Sequence, residues 1–169
     1  MKQESEYNME RKLAIVTDSS CDIPQELAEK YGIDIIDFPI NLDGKEYNER
    51  HDQTLDEFYE LMRQAQGVPT TAAITMLQWQ EVYEKYADEG YTDVLHVSIN
   101  SNGSSTYANA MQAAKNLAET RPDSGMKVHL VDSHTYSMVF GWYLCECARK
   151  LRNGGELRAC VQELESKLA

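Results

Sequence analysis

The stretch Val94–Ala114, VLHVSINSNGSSTYANAMQAA, decides the fold. It opens as a short apolar strand, Val94 to Ile99. It crosses a turn of small polar residues from Asn100 to Thr106 and continues as a helix rich in Ala, Met and Leu. A strand feeding a helix through a small polar loop is how α/β domains build anion sites. The free N–H groups of the first helical turn and the positive end of the helix dipole meet there. The hydroxyls of Ser101, Ser104, Ser105 and Thr106 add donors. A simple helix cap by Ser104 or Ser105 accounts for the same residues without a ligand, and composition alone leaves both readings open.

The same unit recurs on either side. Lys12–Val16, KLAIV, runs into Thr17-Asp18-Ser19-Ser20-Cys21. The helix after it has Asp22 as its expected cap, Pro24 in its first turn and Gly32 as its stop. Met126–Val131 runs into Asp132-Ser133-His134-Thr135 and then a long helix, Tyr136 to Leu151. Between these units, Ile33–Ile40 reads as one strand in which Pro39 marks an edge or an end. Asp43-Gly44 signals a hairpin turn. Thr54 with Glu57, and Thr75 with Gln78, form capping-box patterns ahead of two helices. Thr70-Thr71 lies in a third polar turn, and Glu156–Leu168 is a last amphipathic helix.

Repeated βα units predict a mostly parallel sheet with helices on both faces, an α/β domain over residues 12–169. Ligands of such sheets sit at the carboxyl ends of the strands. The hydroxyl-rich turns at Thr17–Ser20, Asn100–Thr106 and Asp132–Thr135 all fall at strand ends, and the Thr70–Thr71 loop approaches the same rim. Convergence of several such turns points to a ligand that accepts hydrogen bonds.

The length of 169 residues suits one domain with a real core. The formal net charge of −12 argues against nucleic acid or an anionic membrane surface as a partner. No apolar run reaches the roughly 18 residues of a membrane span. Residues 1–11, MKQESEYNMER, lack the apolar centre of a signal peptide and read as a disordered tail, so a cytoplasmic location is expected. Cys21, Cys145, Cys147 and Cys160 match no zinc spacing; free thiols and no metal are expected.

Asp18 and Asp132 each follow a strand and precede Ser; as a carboxylate pair they suit acid–base chemistry, and as single residues they hold loops. His96 and His129 fall inside strands and read as structural, whereas His134 stands at a strand end. No Gly-x-Ser-x-Gly elbow surrounds Ser104, and the Gly-Lys-Ser/Thr and Gly-x-Gly-x-x-Gly nucleotide signatures are absent.

Four segments together resemble the DegV family of bacterial fatty-acid-binding proteins. They are IVTDSSCDIPQELAEKYGIDIIDFPINLDGKEY (Ile15–Tyr47), PTTAAIT, INSNGSSTYANA and VDSHTYSMVFG, and the likeness runs from about Lys12 to the end. The resemblance implies a DegV-like N-terminal domain that binds a long-chain fatty acid and is not itself an enzyme. It implies no cofactor, and a separate fatty acid kinase as the partner to which the carboxylate is presented. By motif match the carboxylate-binding serine falls on Ser104 and the supporting threonine on Thr70, with Thr71 and Thr106 on the neighbouring loop positions. The chain departs from the pattern at Gly103, where the family reads Leu, at Ser105, where it reads Gly, and around Ala73 and Ile74. The second domain usual in the family is expected to be absent after Ala169, which predicts an exposed apolar face and self-association through it. The runner-up reading is an α/β enzyme or regulatory domain that takes a small phosphorylated ligand at the same rim. The apolar run at Met138, Val139, Phe140 and Trp142 suits an acyl wall, and equally an ordinary core.

Overall fold

Two strands, β1 (Leu13–Asp18) and β6 (Asp93–Ser98), form the centre of a parallel four-stranded sheet in the computed structural model, which describes residues 11–52 and 54–169. β2 (Ile33–Ile36) lies outside β1, and β7 (Lys127–Asp132) lies outside β6, giving the order β2-β1-β6-β7. Both central strands are buried along almost their whole length, because both faces are covered. Their alternation divides the core in two. Ile15, Leu95 and Val97 join Val131 under α1 (Gln25–Tyr31), α5 (Met138–Arg152) and α6 (Leu157–Leu168). Ala14, Val16 and Val94 point the other way, into the core of α3 (Met76–Asp88) and α4 (Thr106–Thr120). The expected α/β architecture with helices on both faces is the observed one. The tail read at residues 1–11 lies, but for Arg11, outside the described residues.

A second, antiparallel sheet stands at the carboxyl end of the first. It is built from β3 (Pro39–Leu42), β4 (Lys45–Asn48) and the two-residue β5 (Thr70–Thr71), in the order β4-β3-β5. Asp43 and Gly44 close the β3–β4 hairpin, both at positive φ (51° and 81°), as a tight two-residue turn requires. Ile40 and Tyr47 share its inner face, where the Tyr47 ring meets Phe58 of α2 (Leu55–Gln64) edge-on at 6.2 Å.

Both predicted capping boxes form: Thr54 with Glu57 opens α2, and Thr75 with Gln78 opens α3. Four expectations are corrected. Ile33–Ile40 is not one strand. The chain breaks at Asp37-Phe38, where the Asp37 carboxylate accepts the Arg50 N–H at 2.9 Å and Phe38 N–H donates to Ser19 Oγ at 3.0 Å. Pro39 then starts β3 in the other sheet. Asp22 does not cap α1. It takes a left-handed conformation (φ 51°), and Pro24 occupies the cap position. Thr70-Thr71 is a strand pairing rather than a free turn, and α5 begins at Met138 instead of Tyr136.

Candidate functional site

β1 runs on to β2 at one side of the sheet, while β6 continues to β7 on the other. The carboxyl ends of β1 and β6 are therefore the point where the strand order reverses, and the loops leaving them diverge to open a crevice. Asp18, the last residue of β1, is fully buried at the floor of that crevice. Its Oδ2 accepts the Ile99 N–H at 2.8 Å and the Ser98 hydroxyl at 3.3 Å, and its Oδ1 accepts the Ser20 hydroxyl at 2.5 Å. Burial pushes its carboxyl above the ordinary aspartate value, against these bonds. Asp132 performs the equivalent task on the next strand, its Oδ1 accepting the N–H groups of Ser101 (3.1 Å) and His134 (2.9 Å). The two aspartates hold loops, each on its own strand end.

The loop from Asn100 to Ser105 carries the central hydroxyl. Ser104 Oγ is 2.9 Å from Thr106 Oγ1 and accepts the Thr106 N–H at 3.2 Å. Thr106 itself is fully buried, and its hydroxyl also accepts the Ile74 N–H at 3.2 Å. Thr106 thus stands behind Ser104 and ties the start of α4 to the β5–α3 loop. Ser105 is the N-cap residue of α4, but its side chain makes no capping bond. Half-buried Ser104 lines a cleft with Ser105, Thr71, Ser20, Glu49 and Tyr136.

The neighbours Thr70 and Thr71 are separated by strand alternation. Thr71 pairs with Ile40 and lines the cleft, whereas Thr70 pairs with Asn41 on the opposite face of the small sheet; both are exposed. Of the four hydroxyls singled out in the sequence, the fold brings Ser104 and Thr71 to one cavity, backs Ser104 with Thr106, and turns Thr70 outward.

Glu49 forms part of the wall of this cleft and of an adjoining groove, where Ile40, Leu55, Phe58, Tyr59 and Met62 make an apolar side and Asp22, Gln25 and Arg50 a polar one. Partial burial holds its carboxyl above the ordinary glutamate value, opposed by a hydrogen bond from Ser19 Oγ at 2.5 Å and reinforced by the nearby Asp37 and Asp22. Among the described residues the cleft lining contains no lysine or arginine. Glu49 and Tyr136 had no signal in the sequence, one lying in a polar hairpin exit and the other at the end of a strand-end turn. The apolar run on α5 divides: Phe140 is core, while Val139 and Trp142 are exposed beside Tyr136.

The remaining candidates are structural. His96 is buried and bonded to Tyr83, and His129 pairs with Asp93 at 2.8 Å on the strands' far end. His134 is exposed and 3.4 Å from Asp132. All four cysteines are free and buried, and no cluster of His, Cys, Asp or Glu among the described residues is placed to hold a metal. No helix among them is long and apolar enough to cross a membrane.

Comparison with known proteins agrees with this architecture. A sequence model described as "Uncharacterised protein, DegV family" matches residues 12–167. A DegV domain-containing protein of Staphylococcus aureus is 30% identical over 154 residues, covering 90% of this chain and 51% of that protein. One from Clostridium perfringens is 32% identical over 153 residues, covering 90% and 52%. The chain thus spans about half the length of the curated relatives it matches. Among solved structures, a Thermotoga maritima protein described as having a fatty acid binding function superposes with a TM-score of 0.81 at 28% identity, over 92% of this chain and 55% of that one. A Thermus thermophilus protein described by its fatty acid binding gives a TM-score of 0.78 at 28% identity, over 93% and 53%.

Proposed function

The chain belongs to the DegV family, and from that premise we propose that it binds a long-chain fatty acid with the carboxylate in the Ser104–Thr71 cleft. The observation that carries the reading is the meeting of these two hydroxyls at the start of α4, beside a groove of apolar side chains. A carboxylate needs donors, and the rim supplies them as neutral hydroxyls backed by the positive end of a helix. Ser104 Oγ donates to Thr106 Oγ1. Because Thr106 Oγ1 already accepts from Ile74, its own proton is free to turn toward Ser104, which releases the Ser104 proton to the ligand. Thr106 therefore orients and Ser104 binds.

Energies divide the work between head and tail. Burial of an acyl chain is worth roughly 0.8 kcal/mol per methylene, so a chain of about 16 carbons gains on the order of 10 kcal/mol gross. A hydrogen bond to a carboxylate adds only about 1.5–3 kcal/mol. The hydroxyls orient the head group, and the apolar wall supplies affinity. In this reading the protein is a carrier that presents the carboxylate to a separate fatty acid kinase, and the exposed Tyr136, Val139 and Trp142 form a rim for self-association or for that partner.

The test is lipid extraction and mass spectrometry on the purified chain, followed by oleate titration of variants. A stoichiometric fatty acid is expected in the wild type. Ser104→Ala should weaken oleate binding by about tenfold or more while leaving the melting temperature near that of the wild type. Thr71→Ala should weaken it more than Thr70→Ala. The opposite order would mean that β5 turns over on binding, and unchanged affinity in Ser104→Ala would reject the site.

Glu49 gives the reading a second handle. Its carboxylate and that of the ligand would share one cleft without a cation in the lining, so neutralising it should help. Glu49→Gln is expected to tighten oleate binding severalfold at pH 7 and at low salt, where the repulsion is least screened. Equal or weaker binding in that variant would place the head group elsewhere. The same absence of lysine and arginine disfavours the runner-up, a phosphorylated ligand, whose second negative charge would face Glu49 uncompensated.

A further inference from the structure

Gly103 and Tyr136 are fitted to each other across the mouth of the cleft. A methyl group built on Gly103 would overlap the Tyr136 hydroxyl outright and stand 3.0 Å from its Cζ. Gly103 is not in the left-handed region, so the position uses the missing side chain rather than the backbone freedom of glycine. The phenol lies in the space a side chain would fill, and its hydroxyl has no hydrogen-bond partner among the described residues.

The backbone beside Tyr136 is strained to put it there. Ser137 sits at φ 61° and ψ −158°, a region left almost entirely to glycine. Two bonds hold it: its N–H donates to Ser20 O at 2.9 Å, and its hydroxyl donates to Asp22 Oδ2 at 2.5 Å. The loop after β1 therefore clamps the loop after β7 at the residue that follows Tyr136. Clamp and seat together place one phenol at a cleft whose other side-chain hydroxyls, those of Ser20, Thr71, Ser104 and Ser105, are short.

We propose that Tyr136 is a ligand-binding residue whose phenol O–H donates to the carboxylate held by Ser104 and Thr71, and that residue 103 is glycine to seat it. The proposal rests on the fatty acid reading above and adds to it a donor carried by the loop after β7 and seated beside Ser104. Among the described residues the lining holds no cation, and the phenol adds an uncharged, longer-reaching donor to the short hydroxyls there.

Calorimetric titration with oleate and with oleyl alcohol, which has the same chain and no carboxylate, tests this on the wild type, Tyr136→Phe and Gly103→Ala. The Phe variant keeps the ring and loses only the hydroxyl. In the Ala variant the atom that must give way is the free end of a half-exposed ring, so the domain folds while the phenol is pushed off its seat. Both variants should bind oleate about tenfold or more weakly and oleyl alcohol as the wild type does. The double variant should be no worse than the worse single one, since both remove the same contact. Oleate binding by Tyr136→Phe equal to that of the wild type would overturn the proposal and leave the fatty acid reading intact. So would an equal loss for oleate and oleyl alcohol, which would make the ring a packing element. A wild-type chain that takes up no oleate would overturn the fatty acid reading itself, and this proposal with it.

Discussion

Asp18→Ala is expected to destabilise the domain by about 3 kcal/mol, and Asp18→Asn by less than about 1 kcal/mol, in urea unfolding followed by circular dichroism. The difference follows from what the carboxylate does. It sits unexposed between the two central strands and accepts from Ile99 N, Ser98 Oγ and Ser20 Oγ. Alanine strands the Ile99 N–H, which cannot turn away, together with the fully buried Ser98 hydroxyl. Each buried donor left unmade costs about 1–3 kcal/mol. Asparagine keeps the shape. Its carbonyl oxygen can accept from Ile99, and its amide can donate to Ser20, whose hydroxyl also accepts. The fold already disfavours the charge, since burial raises the carboxyl's pKa, so replacing it with a neutral amide removes a penalty. A severe loss in both variants would instead assign the ionised carboxylate itself a role in the crevice. The crevice walls hang from this residue, so Asp18→Ala should also loosen the Ser104 loop and weaken ligand binding beyond its effect on stability.

This residue also shows what could be read from the chain and what could not. Its place after an apolar strand and before two serines was enough to put it at a strand end. The capping boxes and the Asp43-Gly44 turn were equally legible, because each is a contact between residues a few positions apart. What escaped was decided by partners distant in sequence. Ile33–Ile40 looks like one strand in composition. It breaks because Asp37 is taken by Arg50 and His51, thirteen and fourteen residues on. Asp22 looks like a helix cap, yet it is drawn away by Ser137, 115 residues later. Thr70 and Thr71 are chemically identical neighbours, both exposed, and only the pairing of β5 with β3 gives one to the cleft and the other to the opposite face. The fit of Tyr136 over Gly103 has no local signature at all. The family resemblance pointed to the loop at Ser104, and the geometry then sorted the hydroxyls around it into those that line the cleft and those that stand behind.

Another buried polar group lies between β6 and α3, and there the expected result is a pH effect. Between pH 6.5 and pH 5 the wild type should lose about 2 kcal/mol more stability than a His96→Leu variant. His96 is enclosed between β6 and α3, its Nδ1 2.6 Å from Tyr83 Oη and its ring tilted over Trp79 at 4.1 Å between centroids. Its Nε2 has no hydrogen-bond partner among the described residues. Whichever nitrogen carries the proton of the neutral ring, a second proton would place a charge in the core with nothing to accept from one of the two N–H groups. Burial therefore lowers the imidazole pKa from 6.5 to about 3. Below pH 6.5 the unfolded chain binds a proton that the folded chain refuses. Stability then falls by about 1.4 kcal/mol per pH unit, and the fall ends only near pH 3, where the folded state also protonates. The variant loses the Tyr83 contact at every pH, so its absolute stability is uninformative. The informative quantity is the difference between the two urea midpoints, converted to free energy, as a function of pH. Carboxylates far from His96 contribute to both proteins alike and cancel. A difference that stays flat from pH 7 to pH 5 would mean that the folded protein accepts a charged His96. The Trp79–Tyr83–His96 cluster beneath the β5–α3 loop would then be open enough to admit a counter-charge or solvent, and the anchor that Ile74 gives Thr106, and through it Ser104, would be a mobile one.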